Sequence, residues 1–189
     1  MKVQGNATGK NEGFKIPEDG WHIVKFNEGI AVLQKDGKDL TNDKGDKLWK
    51  IPVVIDDEND ASNEAAIDQL AYEDDRGEQV VANMLACTKL LDKFEKAFPG
   101  DRSFFEPDIM DKIKTKLPGT YAVFKTEKFE DKKKNTRIRL LGWGPISFKD
   151  KLDELDKQLF PEKHKAGAKT ESGKKGGEKT APAAQDDGF

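Results

Sequence analysis

A chain of 189 residues has room for one ordinary domain and some extension of it. With 35% apolar and 37% charged residues it is too polar to pack from end to end and too apolar to be unfolded throughout, so a folded part and a solvated part are expected together. The net charge of −3 gives no overall field for a polyanion. The lone cysteine, Cys87, rules out an intramolecular disulfide, and no apolar run approaches the roughly 20 residues of a membrane helix.

One cysteine and a polar N-terminus point to a reducing, cytoplasmic compartment and no membrane. The charges are segregated all the same. Asp56, Asp57, Glu58, Asp60, Glu64, Asp68, Glu73, Asp74, Asp75 and Glu78 make 56–78 acidic, whereas Lys132, Lys133, Lys134, Arg137 and Arg139 make 132–139 basic. Blocks of this kind set local fields that net charge conceals.

Residues 1–19 read as a mobile lead-in punctuated by Gly and Asn, with Phe14 and Ile16 as the first candidates for anchoring. A strand is predicted from Gly20 through Phe26. Asn27-Glu28-Gly29 reads as a turn, and 30–35 as the partner strand. After a polar loop over 36–46, a third strand covers 47–55, where Pro52 marks an edge or a bulge. The acidic stretch that follows carries a short helix around 65–72. Val80, Met84, Cys87, Leu91, Phe94 and Phe98 then recur at steps of four and three, the apolar stripe of one helix stopped by Pro99-Gly100. A shorter helix is expected over 108–116, with Ile109, Ile113 and Leu117 inward. Strands at 120–129 and 135–143, joined by 130–134, form a closing hairpin, and Gly144-Pro145 breaks the second of them. A last amphipathic helix covers 149–160, with Leu152, Leu155 and Leu159 on one face. Beyond Pro161 the chain cannot bury enough apolar surface to offset an ordering entropy of about 1–2 kcal/mol per residue, so a disordered tail is expected.

Three strands, helical material and two more strands is the chain order of an OB barrel. The predicted fold is therefore mainly β with α insertions: a five-stranded OB-like barrel with helices between strands 3 and 4. It spans 20–160, preceded by the 1–19 lead-in and followed by the tail, 161–189.

The closing hairpin carries the chemistry. Alternation puts Thr136, Ile138, Leu140 and Gly142 on one face of its second strand and Arg137, Arg139, Leu141 and Trp143 on the other. The second set places two guanidiniums and an indole beside the Lys132-Lys133-Lys134 loop. Single-strand binders need cations along the phosphates and flat rings under the bases. On the preceding strand Tyr121, Lys125 and Phe129 share a face, as do Trp21 and Lys25 on the first. Which face is inward is open on both strands. Trp49 is expected in the core, and Trp21 and Trp143 outside it. A solvated strand with a lysine-rich turn has the same appearance, so the reading requires these cations to be free of acidic partners, above all those of 56–78.

The chain ends Gln185-Asp186-Asp187-Gly188-Phe189, and Phe189 is the only aromatic residue after Phe160. Two carboxylates and a terminal ring suit a hydrophobic pocket rimmed by Arg and Lys on a partner. On a disordered linker the tip could also cover the basic face when nucleic acid is absent. This tail is similar to those of bacterial and phage single-stranded DNA-binding proteins, with Gly188 standing where the bacterial pattern has an Ile-Pro pair. The body from Gly20 to Trp143, with Lys116-Leu117-Pro118-Gly119-Thr120 leading into the last hairpin, resembles phage replication-module proteins. The resemblance implies an OB domain that binds single-stranded DNA during phage replication, recombination or repair in the host cytoplasm. It also implies that Asp186, Asp187 and Phe189 recruit replication or recombination proteins. Monomer and homo-oligomer are both compatible with it.

No catalytic motif and no cofactor site is found, and the protein is read as non-enzymatic. As a calcium loop the acidic run 56–60 fails, because Ile67 stands where the bidentate Glu belongs. The first strand offers His22 no acidic or hydroxyl partner in register, Cys87 falls on the helix stripe, and one cysteine makes no zinc site. Two other readings remain: an OB-like protein-interaction or inhibitor module without DNA binding, and a metal-dependent nuclease built on the acidic segment.

Overall fold

Alternation of apolar and polar side chains governs the strands, and the computed structural model describes residues 15–131 and 134–162. The elements in chain order are β1 (Gly20–Phe26), β2 (Ala31–Val32), β3 (Gln34–Lys35), β4 (Lys38–Asp39), β5 (Leu48–Ile55), β6 (Ala66–Tyr72), α1 (Asp75–Cys87), α2 (Leu91–Ala97), α3 (Pro107–Lys116), β7 (Tyr121–Glu130), β8 (Thr136–Pro145), a 3-10 turn (Ile146–Phe148) and α4 (Leu152–Leu159). The protein is thus mainly β with helical insertions between β6 and β7. Residues 1–14 of the expected lead-in and nearly all of the expected tail, including Asp186, Asp187 and Phe189, lie outside the described residues, as do Lys132 and Lys133.

The main sheet is antiparallel and runs β6-β5-β1-β7-β8, with β2 beside β1 on the same edge of β5. It is open: β6 and β8 are its edges and do not pair, so the closed five-stranded barrel is not formed. Helix α1 packs on β6, β7 and β8 and spans the gap between the edges. Its buried Val80, Val81, Met84 and Leu85 meet Phe26, Ile51, Val53, Ile55 and Phe124 in one core, joined by Phe94, Ile109, Met110, Ile113 and Leu117. Trp49 lies in this core, its indole donating to Glu73 at 2.8 Å.

Three local expectations are corrected. The segment 27–30 is not a hairpin turn. Phe26 pairs with Val53 and Ala31 with Lys50, so the chain keeps its direction along β5 and β2 continues β1 after a bulge. That bulge faces Pro52, whose carbonyl accepts from the Asn27 amide at 2.9 Å; proline has no N–H to return, so regular pairing is interrupted there. Second, 66–72 is a strand, not a helix. Ile67, Gln69 and Ala71 point inward in steps of two, and the buried amide of Gln69 disguises the period. Third, the long apolar stripe is two helices. Lys89 takes a left-handed φ of 60°, while the Thr88 hydroxyl donates to the Met84 and Leu85 carbonyls and ends α1. Cys87, half-buried beside this break, has its thiol pushed up to about 11 by burial.

Candidate nucleic-acid interface

Registry divides β1, β7 and β8 into an inner face toward the helices and an outer face. His22, Val24, Phe26, Ala122, Phe124 and Thr126 are buried on the inner face. Trp21 lies opposite Lys125 and Lys25 opposite Tyr121 on the outer one. Arg139 pairs with Glu127 and Arg137 with Phe129, so both arginines join that outer face. Seven of the predicted residues, Trp21, Lys25, Tyr121, Lys125, Phe129, Arg137 and Arg139, are therefore brought to one surface. Lys134 sits exposed in the hairpin loop with a left-handed φ of 61°.

The outer face has an ordered pattern. Each of three rings has a cation beside it: Lys25 Nζ 5.9 Å from the Tyr121 ring centre, Lys125 Nζ 5.8 Å from that of Trp21, and the Arg139 guanidinium 5.9 Å from that of Phe129. Tyr121, Lys125 and Phe129 are four residues apart on one strand, which separates successive pairs by about 13 Å.

Trp143 is the correction. It lies on the inner face, stacked on Phe26 and Phe124 with ring centres 5.5 Å from each. The cause is a bulge on β8. Lys125 pairs with Gly142 but Thr126 pairs with Leu140, leaving Leu141 as an extra residue. One added residue reverses the alternation after it, so Trp143 faces inward although Arg139 faces outward.

The expectation of an unneutralised face is also corrected. Arg139 is paired with Glu127, Arg137 with Asp131 at 3.1 Å, and Lys125 with Asp156. The acids come from the same hairpin and from α4, not from 56–78. From that segment, Asp56 accepts the Tyr121 hydroxyl at 2.7 Å, and this bond holds the phenol above its ordinary range. The Arg139 side chain keeps 45% exposure, and an exposed pair of this kind contributes only about 0–1 kcal/mol, whereas the Arg137–Asp131 pair is half-buried.

Helix α4 lies over the centre of the face. A Cβ at Gly144 would overlap a Leu155 methyl, and one at Gly142 would come within 3.3 Å of Leu159 and Phe160. The two glycines thus form a trench on β8 into which the helix settles. Asp156 Oδ1 accepts from the Trp21 indole at 2.9 Å and from the Lys125 ammonium. This cover was missed in the sequence, although the glycine pair and the leucine stripe of 152–159 were its signals.

A second feature missed in the sequence sits on the inner face. His22, 4% exposed, has Nδ1 2.5 Å from Asp60 Oδ2, and its Nε2 donates to the Glu18 carbonyl at 2.9 Å. The Thr126 hydroxyl lies 2.9 Å from the same Nε2 and donates to the Glu18 carbonyl at 2.7 Å. The order Thr-His-Asp resembles a nucleophilic triad, but Thr126 is 1% exposed and its proton goes to a backbone carbonyl. The network is a clasp. It ties the 56–64 loop and the chain entering β1 to the sheet, helped by the Glu18 amide donating to Ser62 and by the Lys128 ammonium on Glu18. Residues 15–19 are thereby fastened rather than part of a loose lead-in.

Burial pushes the Asp60 carboxyl up, but hydrogen bonds from His22 and from the Ser62 amide outweigh it and hold the group below its ordinary value of 3.8. A lowered carboxyl contributes stability that is fully present above its unfolded pKa and is lost as the pH falls through the folded one. Acid titration of the unfolding free energy should therefore show the wild type losing stability below about pH 4. Asp60→Asn should be about 1–2 kcal/mol weaker at pH 7 and flatter in acid. A variant that loses stability in parallel with the wild type would remove the clasp from the account.

Among the described residues no helix is long and apolar enough to cross a membrane. No model of a protein family matches this chain, and no curated protein matches it.

Proposed function

We propose that this chain is a non-catalytic single-stranded DNA-binding protein whose ligand crosses the outer face of β1, β7 and β8. The one observation that carries the reading is the row of three ring-and-cation pairs, Tyr121 with Lys25, Trp21 with Lys125, and Phe129 with Arg139. Each pair offers a flat surface for a base and a positive charge for the phosphate beside it, and neither interaction reads base identity. Sequence preference is accordingly weak. On this reading the open sheet with its bridging helix is an OB-like module, Lys132, Lys133, Lys134 and Arg137 extend the basic track, and Asp186, Asp187 and Phe189 recruit replication or recombination proteins in a phage-infected cell's cytoplasm.

The sequence-based expectation requires cations free of acids and these are not, so the reading rests on the ring-and-cation row, and the phosphate is an exchange partner rather than a first one. Glu127 and Asp131 must give up Arg139 and Arg137, so affinity is modest and falls steeply with salt. Anisotropy of labelled oligo-dT, against duplex DNA of the same length, at 50 and 200 mM salt tests this. The expected result is single-strand preference with an affinity loss of about tenfold or more between the two salts. Binding unaffected by salt, or equal on duplex, would refute the reading.

The same ion pairs favour a second reading, a protein-interaction module in which the face is already satisfied internally. That reading predicts no oligo-dT binding at either salt, and pull-down of partners that fails once residues 181–189 are removed.

A further inference from the structure

Helix α4 covers the middle of the ring-and-cation face, and its hold is slight. It has eight residues, the Lys151 side chain before it makes no capping bond, and Leu155 is its one buried residue, with Leu159 42% exposed. A helix this short has little stability of its own in water, so it stays folded by docking. Its docking includes an apolar contact and a polar one. Leu155 fills the trench over Gly144 and Val123. Next to it, Asp156 brings a carboxylate to Trp21 and Lys125, and one turn further on Phe160 places its ring centre 5.1 Å from the Lys125 ammonium. An anion and a flat ring set against an ammonium and an indole are the groups that a nucleotide would present to the same pair.

We propose that α4 is a displaceable strap that holds the Trp21–Lys125 centre of the face in the free protein and yields it to single-stranded nucleic acid. The inference rests on the nucleic-acid reading above and adds its regulation. Tyr121 with Lys25 and Phe129 with Arg139 lie four residues to either side of Lys125 along the face, so a strand engages the ends and then competes for the middle. A ligand that binds only the uncovered face draws the equilibrium toward it, and its apparent affinity is reduced by the fraction of molecules with the strap in place.

The test uses the full chain and oligo-dT. Asp156→Asn removes the carboxylate that occupies Lys125, while Asp153→Asn makes the same change in charge at an exposed position of the same helix. Asp156→Asn should tighten binding about three- to tenfold at low salt, and Asp153→Asn roughly twofold at most. Leu155→Ala, which weakens docking without altering charge, should also tighten binding. Hydrogen exchange provides the second readout: saturation with oligo-dT should speed exchange over 152–159 about tenfold or more while 75–87 keeps its protection. Equal effects of Asp156→Asn and Asp153→Asn, or an α4 that stays protected in the saturated complex, would overturn the strap while leaving the DNA reading intact. If the wild type and all three variants fail to bind any single strand, the DNA reading falls and takes the strap with it.

Discussion

Replacing Gly77 by alanine should lower the unfolding free energy by about 3 kcal/mol, read from urea titration. Helix propensity alone gives the opposite sign, since alanine exceeds glycine by about 1 kcal/mol inside a helix. The reason for the reversal is a close approach. Gly77 lies in the first turn of α1, where its amide donates to the capping Asp74 side chain at 2.9 Å, and a Cβ there would fall on the carbonyl oxygen of Tyr72. A backbone carbonyl at the end of β6 cannot rotate aside as a side chain can. The helix would have to lift from the strand, and α1 is the element that spans the two unpaired edges of the sheet. A change within about 0.5 kcal/mol of zero, the range of ordinary surface substitutions, would contradict the packing described here.

The second large effect is on binding. The double variant Tyr121→Ala/Phe129→Ala should weaken oligo-dT binding about 100-fold, since each ring removed takes a stacking surface with it. Tyr121 is exposed and its hydroxyl bond to Asp56 is at the surface, so thermal unfolding should shift little from that half of the change. A loss of only about twofold in binding would show that bases do not rest on these rings.

Much of the fold was legible where side-chain period and burial agree. Val24 and Phe26 against Trp21 and Lys25, and Ala122 and Phe124 against Tyr121 and Lys125, alternate, so the strands and the residues that share a face could be read from the sequence, but not which face is outward. The helix expected over 108–116 was legible because Ile109, Ile113 and Leu117 recur on one side, and the structure adds only Pro107 at its start. What was not legible depends on partners far along the chain. The bulge at 27–30 is set by Pro52 on the neighbouring strand. The strand at 66–72 buries a glutamine where a local reading expects an apolar residue. The stripe through Val80 to Phe98 keeps its spacing across a left-handed lysine that nothing in the local sequence announces. His22 lacks a partner on its own strand because Asp60 and Thr126 come to it from two others. On the candidate interface the rings and cations were identified by type, but their acidic companions were not. Glu127 was visible as a cross-strand neighbour of Arg139, whereas Asp156 reaches Lys125 only because α4 folds back over two glycines.

The extra residue in β8 has a consequence for how the chain can change over evolutionary time. Single substitutions along that strand alter one contact each. Losing or gaining one residue near Leu141 would instead exchange what every later position meets, turning Trp143 out to solvent and driving the sequence that should make the trench into the aromatic interior. Descendants of this chain should therefore vary in residue type at exposed Thr136 while the length from Leu140 to Pro145 stays fixed.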